Sequence, residues 1–294
     1  MTATLSDGVS IFLFHGVIPA TEPGVRNYTR KHMTVAAFTA ILDRLCRAGT
    51  PVSMPAVVAA TLAGAPLPSP AFAVTFDDGF ENNVSIAAPL LEARGVPATF
   101  YVTTQFVDAN AASWIDRIEF GVERAEPACA TLPGAVAPST LGTPQNKIAF
   151  LDDVRRIVKA DRRLDPYAVA DALLKELGVT FETDPMLDQK MTWTQVRDVA
   201  HHRLFTVGGH GHTHRILEFL DDAHLEGEVT TSLRLLREYA GVRTQHYSYP
   251  EGLAHCYSDR VIGVLRRHGI VCAPTAEPGV NRIGDDLFRL KRIA

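Results

Sequence analysis

Two runs in this chain carry side chains suited to acid–base and metal chemistry. The first is Thr75-Phe76-Asp77-Asp78-Gly79-Phe80, which follows the apolar residues Ala71 to Val74. An apolar run of that kind reads as a buried strand, so the paired carboxylates fall at a strand end. Neighbouring side chains on a strand point to opposite faces, and both aspartates reach one pocket only where the chain bends. Gly79 supplies the freedom for a bend. Adjacent carboxylates also repel, and ionising both is costly unless a cation or positive neighbour removes the cost. The run fits one carboxylate on a metal with the other free to act as a base; an Asp-Asp-Gly surface turn would use the same residues.

The second run is His210-Gly211-His212-Thr213-His214, after the apolar Leu204 to Val207 and the pair Gly208-Gly209. If extended, His210 and His214 stand about 13 Å apart, too far to share an ion. In a helical turn, residues four apart come within about 6 Å. A turn is expected after the glycines, so His210 and His214 converge while His212 points elsewhere. Two histidines and one aspartate form a three-ligand set with an open position for water, the pattern of a catalytic divalent ion. A solvated histidine-rich loop is the alternative.

Strands and helices must position these runs, and their pattern is alternating. Val9 to Phe14 is a short apolar strand ending in His15-Gly16. Thr34 to Ala48 has helical spacing, with Thr34 as cap and Gly49 as stop. Leu62 to Pro70 reads as a linker. Ile86 to Arg94 reads as a helix closed by Gly95, and Ala98 to Thr103 as the next strand. Phe106 to Trp193 breaks the rhythm: Glu126 to Pro144 reads as loop, and Lys147 to Val158 and Pro166 to Leu177 as helices. The alternation resumes with a helix over Trp193 to His201, capped by Thr192, and the strand at Leu204. A long amphipathic helix spans Asp222 to Ala240. Strands at His246 to Tyr249, Ile270 to Ala273 and Leu287 to Ile293 complete about seven, with a helix from Ser258 to His268 between two of them. Strand, helix, strand with short links indicates a parallel sheet with right-handed crossovers.

Composition limits the alternatives. The chain has 294 residues, 46% hydrophobic, enough for one large α/β domain or two smaller ones. Its 29 basic and 33 acidic residues give a net charge of −4 without a basic block of the kind that binds nucleic acid. Cys46, Cys129, Cys256 and Cys272 show no CxxC spacing and read as thiols. Met1 to Ser10 lacks the pattern of a leader, and no run approaches the roughly 18 apolar residues of a membrane span. A cytoplasmic location is the expectation.

At this point a family resemblance is apparent. Thr75-Phe76-Asp77-Asp78-Gly79 is similar to the first motif of the polysaccharide deacetylases, which include chitin, chitooligosaccharide and peptidoglycan deacetylases. His210-Gly211-His212-Thr213-His214 resembles the second motif, and Tyr249-Pro250-Glu251-Gly252 the third, a loop that frames the pocket. The resemblance implies an α/β fold, a distorted (β/α)7 barrel forming one catalytic domain over residues 1–294, with a mostly helical insertion at about 107–192. It implies that Asp78, His210 and His214 bind a divalent metal, commonly zinc, with cobalt, nickel or manganese as substitutes. Asp77 would be the base, and the N–H of Glu251 would help hold the oxyanion, with Tyr249, Pro250 and Gly252 around it. The substrate would be an acetylated carbohydrate, deacetylated by hydrolysis; the alternatives are hydrolysis of another amide-type C–N bond, in a formyl-sugar or a cyclic amide, and a non-catalytic carbohydrate-binding relative.

The sequence departs from the pattern in three places. Ser248 stands where many members carry an arginine that braces the base, leaving Arg243 or Arg289 as substitutes. No late histidine appears near Ile270 to Thr275 to serve as general acid, and His15, at the end of the first strand, is the candidate. Glu251 follows Pro250 where an aromatic residue is common. Trp114, Asp116 and Arg117 are candidates for the cleft wall. Trp193 is either a core residue or a sugar platform.

Overall fold

The computed structural model describes residues 8–21, 24–125 and 129–294. In order these form β1 (Val9–Phe14), β2 (Gly16–Ile18), β3 (His32–Thr34), α1 (Val35–Ala48), β4 (Thr50–Pro51), α2 (Met54–Ala63) and β5 (Ala71–Phe76). A π-helical turn, Asn83–Ala87, runs into α3 (Ala88–Glu92), followed by β6 (Ala98–Val102) and α4 (Thr104–Ala109). Then come α5 (Trp114–Arg124), β7 (Cys129–Ala130), β8 (Ser139–Thr140), α6 (Pro144–Ala160) and α7 (Pro166–Glu176). The last part holds α8 (Trp193–His201), β9 (Phe205–Gly209), α9 (Asp222–Ala240) and α10 (Asp259–Arg267).

The chain divides into two compact units. The first, residues 1–19, 32–111 and 190–294, contains a parallel sheet ordered β1-β5-β6-β9, with β4 also paired to β5. Hydrogen bonds continue past β9. Gly209 bridges Tyr247 and His246 bridges Cys272, both parallel. Ala273 and Thr275 then donate to the carbonyls of Leu287 and Leu290, and Ile293 exchanges bonds with Ile11 and Leu13 of β1. Seven segments are thus joined in a ring, and the fold is an α/β barrel of the expected kind.

Side-chain alternation explains the packing of this ring. Phe12, Phe14, Phe72, Val74, Phe76, Phe100, Phe205 and Val207 share one cluster with Phe38, Leu42 and Leu45 of α1 and with residues of α3, α8 and α9. Val9, Ile11, Ala71 and Ala73, the alternate positions, cluster instead with Met54, Val57 and Val58 of α2 and with Cys272, Leu287 and Leu290. Helix α2 packs on the inward set and plugs the ring. It lies partly within the stretch expected to be linker, and its sequence gives no amphipathic signal because it is apolar nearly all round. Ser53 caps it by accepting from Ala56, and Gly64 ends it at φ 60°. Elsewhere the helix ends follow the capping residues: Thr34 accepts from Ala37, Thr192 and Gln195 form a reciprocal capping box, and Gly241 stops α9 at φ 71°.

The second unit comprises residues 20–31 and 112–189. Its core joins Trp114, Ile118 and Val122 of α5 to Phe150, Leu151 and Val154 of α6 and Leu173 of α7. Carboxylates of α5 hold residues 24–31 against it: Glu123 accepts the N–H groups of Val25 and Arg26, Glu119 that of Asn27, and Asp116 pairs with Lys31 at 3.1 Å. The stretch expected to be loop contains the small antiparallel pair β7–β8, with residues 126–128 outside the described part. Residues 1–7 of the segment read for a leader lie outside it as well. No helix among the described residues is long and apolar enough to cross a membrane. Cys46, Cys129, Cys256 and Cys272 are free thiols, the first two exposed and the last two buried.

Candidate active site

Register places the candidate site residues. Phe14 pairs with Phe76, and Phe76 with Phe100. The rings stack as a ladder across three strands, at 5.6 and 5.2 Å between centroids. All three face the helices, so the next residue of β5's line, Asp77, turns inward at the strand's C-terminal end. A slip of one residue would turn it out. Aromatic cross-strand pairs each contribute roughly 0.2–1 kcal/mol, and here they also fix where the carboxylate points.

The chain leaves β5 through two successive left-handed residues, Asp78 at φ 74° and Gly79 at φ 79°. The bend expected at Gly79 therefore begins one residue earlier, on an aspartate, a type that tolerates this conformation. Both carboxylates are buried. The histidine run converges in a similar way. His210 and His214 have ring centroids 5.0 Å apart. Left-handed residues at Gly211 (φ 77°) and His214 (φ 58°) bring them together, in place of the expected helical turn. Glu251 of the third motif is also left-handed, at φ 63°. One non-glycine residue per motif thus holds a conformation costing about 1–2 kcal/mol, a cost that proteins retain chiefly at functional sites.

Asp78, His210 and His214 each offer a ligand atom, and these atoms lie within 4.8 Å of one another. Donors about 2.1 Å from a shared tetrahedral ion stand roughly 3.4 Å apart. Asp78 Oδ1 is 3.5 Å from His210 Nε2 and 3.2 Å from His214 Nε2, which fits such an ion. The tautomer fits too. His210 Nδ1 lies 2.9 Å from the carbonyl of Ser248, which only accepts, so Nδ1 carries the proton and Nε2 keeps its lone pair toward Asp78. Burial lowers the pKa of His210 against the pull of Asp77, keeping the ring neutral and ligand-ready. His214 stacks on Phe106 at 5.7 Å. His212 points elsewhere, its Nδ1 bonded to Thr104 Oγ1 at 2.9 Å.

Asp77 is gripped by a residue the sequence did not single out. Arg292 Nη1 reaches Oδ1 at 2.9 Å and Nη2 reaches Oδ2 at 2.8 Å, with Arg292 itself 2% exposed. Ser248 donates to Asp77 Oδ2 at 3.3 Å and lies 2.9 Å from Arg292 Nη2. Neither expected substitute takes this place: Arg289 pairs with Asp259 and Asp286 near the surface, and Arg243 is exposed. The signal was present in the last strand, where period-two alternation puts Arg292 on the same inward face as the buried Leu290. Burial opposes ionisation of Asp77, but Arg292, His210 and His15 together outweigh it and hold the carboxyl below its usual range. Asp77 is therefore an ionised carboxylate, 3.8 Å from His210 Nε2.

His15 ends β1 beside this group. Asp77 N–H donates to the Phe14 carbonyl at 3.0 Å, and Asn83 Nδ2 donates to the His15 carbonyl at 2.6 Å. In the third motif, Pro250 lies against Gly211, where an added Cβ would meet its Cγ at 3.3 Å. The Gly252 carbonyl accepts from Ala276. The Tyr249 phenol is fully buried, donating to the Phe288 carbonyl at 3.0 Å and stacked on Tyr257. Trp114 belongs to the core of the second unit, where Asp116 and Arg117 are in ion pairs. Trp193 packs against the barrel core and stacks on Tyr239.

Comparison with known proteins agrees with this geometry. The deacetylase PplD of Streptococcus pyogenes, solved with acetate, superposes with a TM-score of 0.62 at 15% identity, covering 97% of this chain and 91% of that one. IcaB of Ammonifex degensii gives 0.61 at 18% identity over 98% and 92%. The BpsB deacetylase domain of Bordetella bronchiseptica gives 0.56 at 18% over 97% and 94%. At these identities the likeness establishes the fold. No curated protein sequence matches significantly. The polysaccharide deacetylase family model matches residues 64–164 and 167–273, a span that holds all three motifs, and the chain belongs to that family.

Proposed function

We infer that this carbohydrate deacetylase hydrolyses an N-acetyl group with the help of a divalent ion held by Asp78, His210 and His214. The observation that carries the reading is the convergence of those three ligand atoms beside Asp77, a buried carboxylate kept ionised. A bound ion would polarise the acetamide carbonyl and acidify water. Two imidazoles and one carboxylate suit zinc, and cobalt, nickel or manganese would fit the same donors.

The chain's own residues divide the remaining work. Asp77 takes a proton from the attacking water as its oxygen adds to the carbonyl carbon. Arg292 and Ser248 fix the orientation of that carboxylate. The backbone N–H of Glu251, after Pro250, is the donor assigned to the developing oxyanion. His15 returns a proton to the sugar nitrogen as the C–N bond breaks, leaving acetate and a free amine. Support for an N-acetyl substrate also comes from structural relatives described as a de-N-acetylase and as a deacetylase complexed with acetate. Arg292 removes one of the two grounds for a non-catalytic binding role, the missing brace at Ser248; the other is the absent late histidine.

Acetate release from N-acetylated glucosamine oligomers tests the reading. Chelation should abolish it and zinc or cobalt restore it, and Asp77→Asn should bind metal yet lose about 10²–10⁴-fold in kcat. Full activity in that variant, or in chelator, would overturn it.

A further inference from the structure

The loop that carries His210 and His214 has a specific anchor in α9. Glu228 is 7% exposed, and its carboxylate is spent on this loop. Oε1 accepts the backbone N–H of His212 at 2.7 Å and that of Thr213 at 2.5 Å. The Thr213 hydroxyl lies 3.1 Å from Oε1 and 3.0 Å from Oε2. Gly211 is required by the same approach: a Cβ there would stand 3.0 Å from Glu228 Oε1.

The loop's carbonyls are held from another side. Thr103 Oγ1 donates to the His210 carbonyl at 2.9 Å, Thr104 N–H to that of Gly211 at 3.2 Å, and Gln105 N–H to that of His212 at 2.9 Å. The N–H groups of His212 and Thr213 thus face Glu228, and the carbonyls of His210, Gly211 and His212 face the start of α4. A loop with a left-handed glycine and a left-handed histidine has no helical or strand ladder to stabilise it. External partners must supply its shape.

We propose that Glu228 is a positioning residue for the metal site, setting the spacing between His210 and His214 before any ion arrives. This inference rests on the metal reading above. Its role is geometric: the carboxylate clamps two consecutive N–H groups, and that clamp fixes the His210–His214 separation. Partners of metal ligands typically change metal affinity by about 10–100-fold when removed.

The test is zinc affinity by chelator competition together with the visible spectrum of the cobalt-loaded protein, for wild type, Glu228→Gln, Glu228→Asp and Glu228→Ala. Glutamine keeps a carbonyl oxygen at the same reach and should bind zinc within about threefold of wild type. Aspartate keeps the charge but withdraws it by one methylene, and should lose about 10-fold with an altered cobalt spectrum. Alanine should lose up to about 100-fold. Wild-type affinity and spectrum in Glu228→Asp would overturn the proposal even if Glu228→Ala fails to fold. Loss in Glu228→Gln equal to that in Glu228→Ala would also overturn it, since charge and not shape would then matter. A wild-type protein that binds neither zinc nor cobalt would instead overturn the metal reading itself.

Discussion

Arg292 lays both arms of its guanidinium on the Asp77 carboxylate, at 2.9 and 2.8 Å, across 215 positions of sequence. The pair is buried on both sides, so each charge depends on the other. Removing the arginine takes away the largest influence opposing burial at Asp77, and the carboxyl pKa rises.

Arg292→Met should therefore lower kcat/KM at neutral pH and move the acid limb of its pH profile upward by about one unit or more. Stability should fall by roughly 3–5 kcal/mol, because a buried charge loses its partner. The sign follows from the depressed pKa of Asp77: the pair stabilises the fold above the unfolded carboxylate pKa, and this is lost as pH falls through the lower folded value. An unchanged acid limb would remove Arg292 from the control of the base.

His15→Ala should lower kcat by about 10²–10⁴-fold with metal content intact, and should flatten the basic limb of the pH profile. Metal content by atomic absorption and a pH–rate series check this together. A variant with wild-type kcat and both limbs in place would leave the proton donor elsewhere.

Tyr249→Phe separates packing from substrate contact. The phenol's one assigned bond is to the Phe288 carbonyl. Its loss should cost about 1 kcal/mol in urea unfolding and leave kcat/KM within about twofold. A tenfold drop in kcat would place the hydroxyl on the substrate instead.

His246 makes stability depend on mild acid. Burial drives its pKa down to about 4, so the folded protein keeps it neutral where the unfolded chain takes up a proton. Stability should fall as pH drops below about 6.5 and level off near the folded value. Between pH 7 and pH 5 the histidine alone accounts for about 2 kcal/mol. The same comparison in His246→Leu should show a correspondingly smaller loss; an equal loss would assign the acid sensitivity to other groups.

Much of this was legible because the informative residues are local. Asp77-Asp78-Gly79 and His210 to His214 announce themselves by type and spacing, and the ring's strands are apolar runs ended by polar residues. Thr34, Thr192 and Gly241 mark helix ends through local hydrogen bonds or backbone conformation. Three features were not legible, each for a physical reason. Helix α2 is apolar nearly all round, on its exposed side as well as its buried one, so periodicity does not reveal it. The brace on Asp77 stands 215 positions away: alternation along the last strand turns Arg292 inward, but only the closure of the ring brings that strand beside Asp77. The convergence of His210 and His214 was legible, but the left-handed backbone at Gly211 and His214 that produces it, in place of a helical turn, was not.

The hydrogen bonds that tie Ile293 to β1 carry a consequence for how the enzyme comes into being. A ribosome makes both motifs that carry the candidate metal ligands well before it reaches Arg292. A chain made only as far as His214 therefore carries the three candidate ligands but not the guanidinium that keeps Asp77 ionised. That guanidinium comes into place when the stave around Ile293 is seated against β1 and closes the ring.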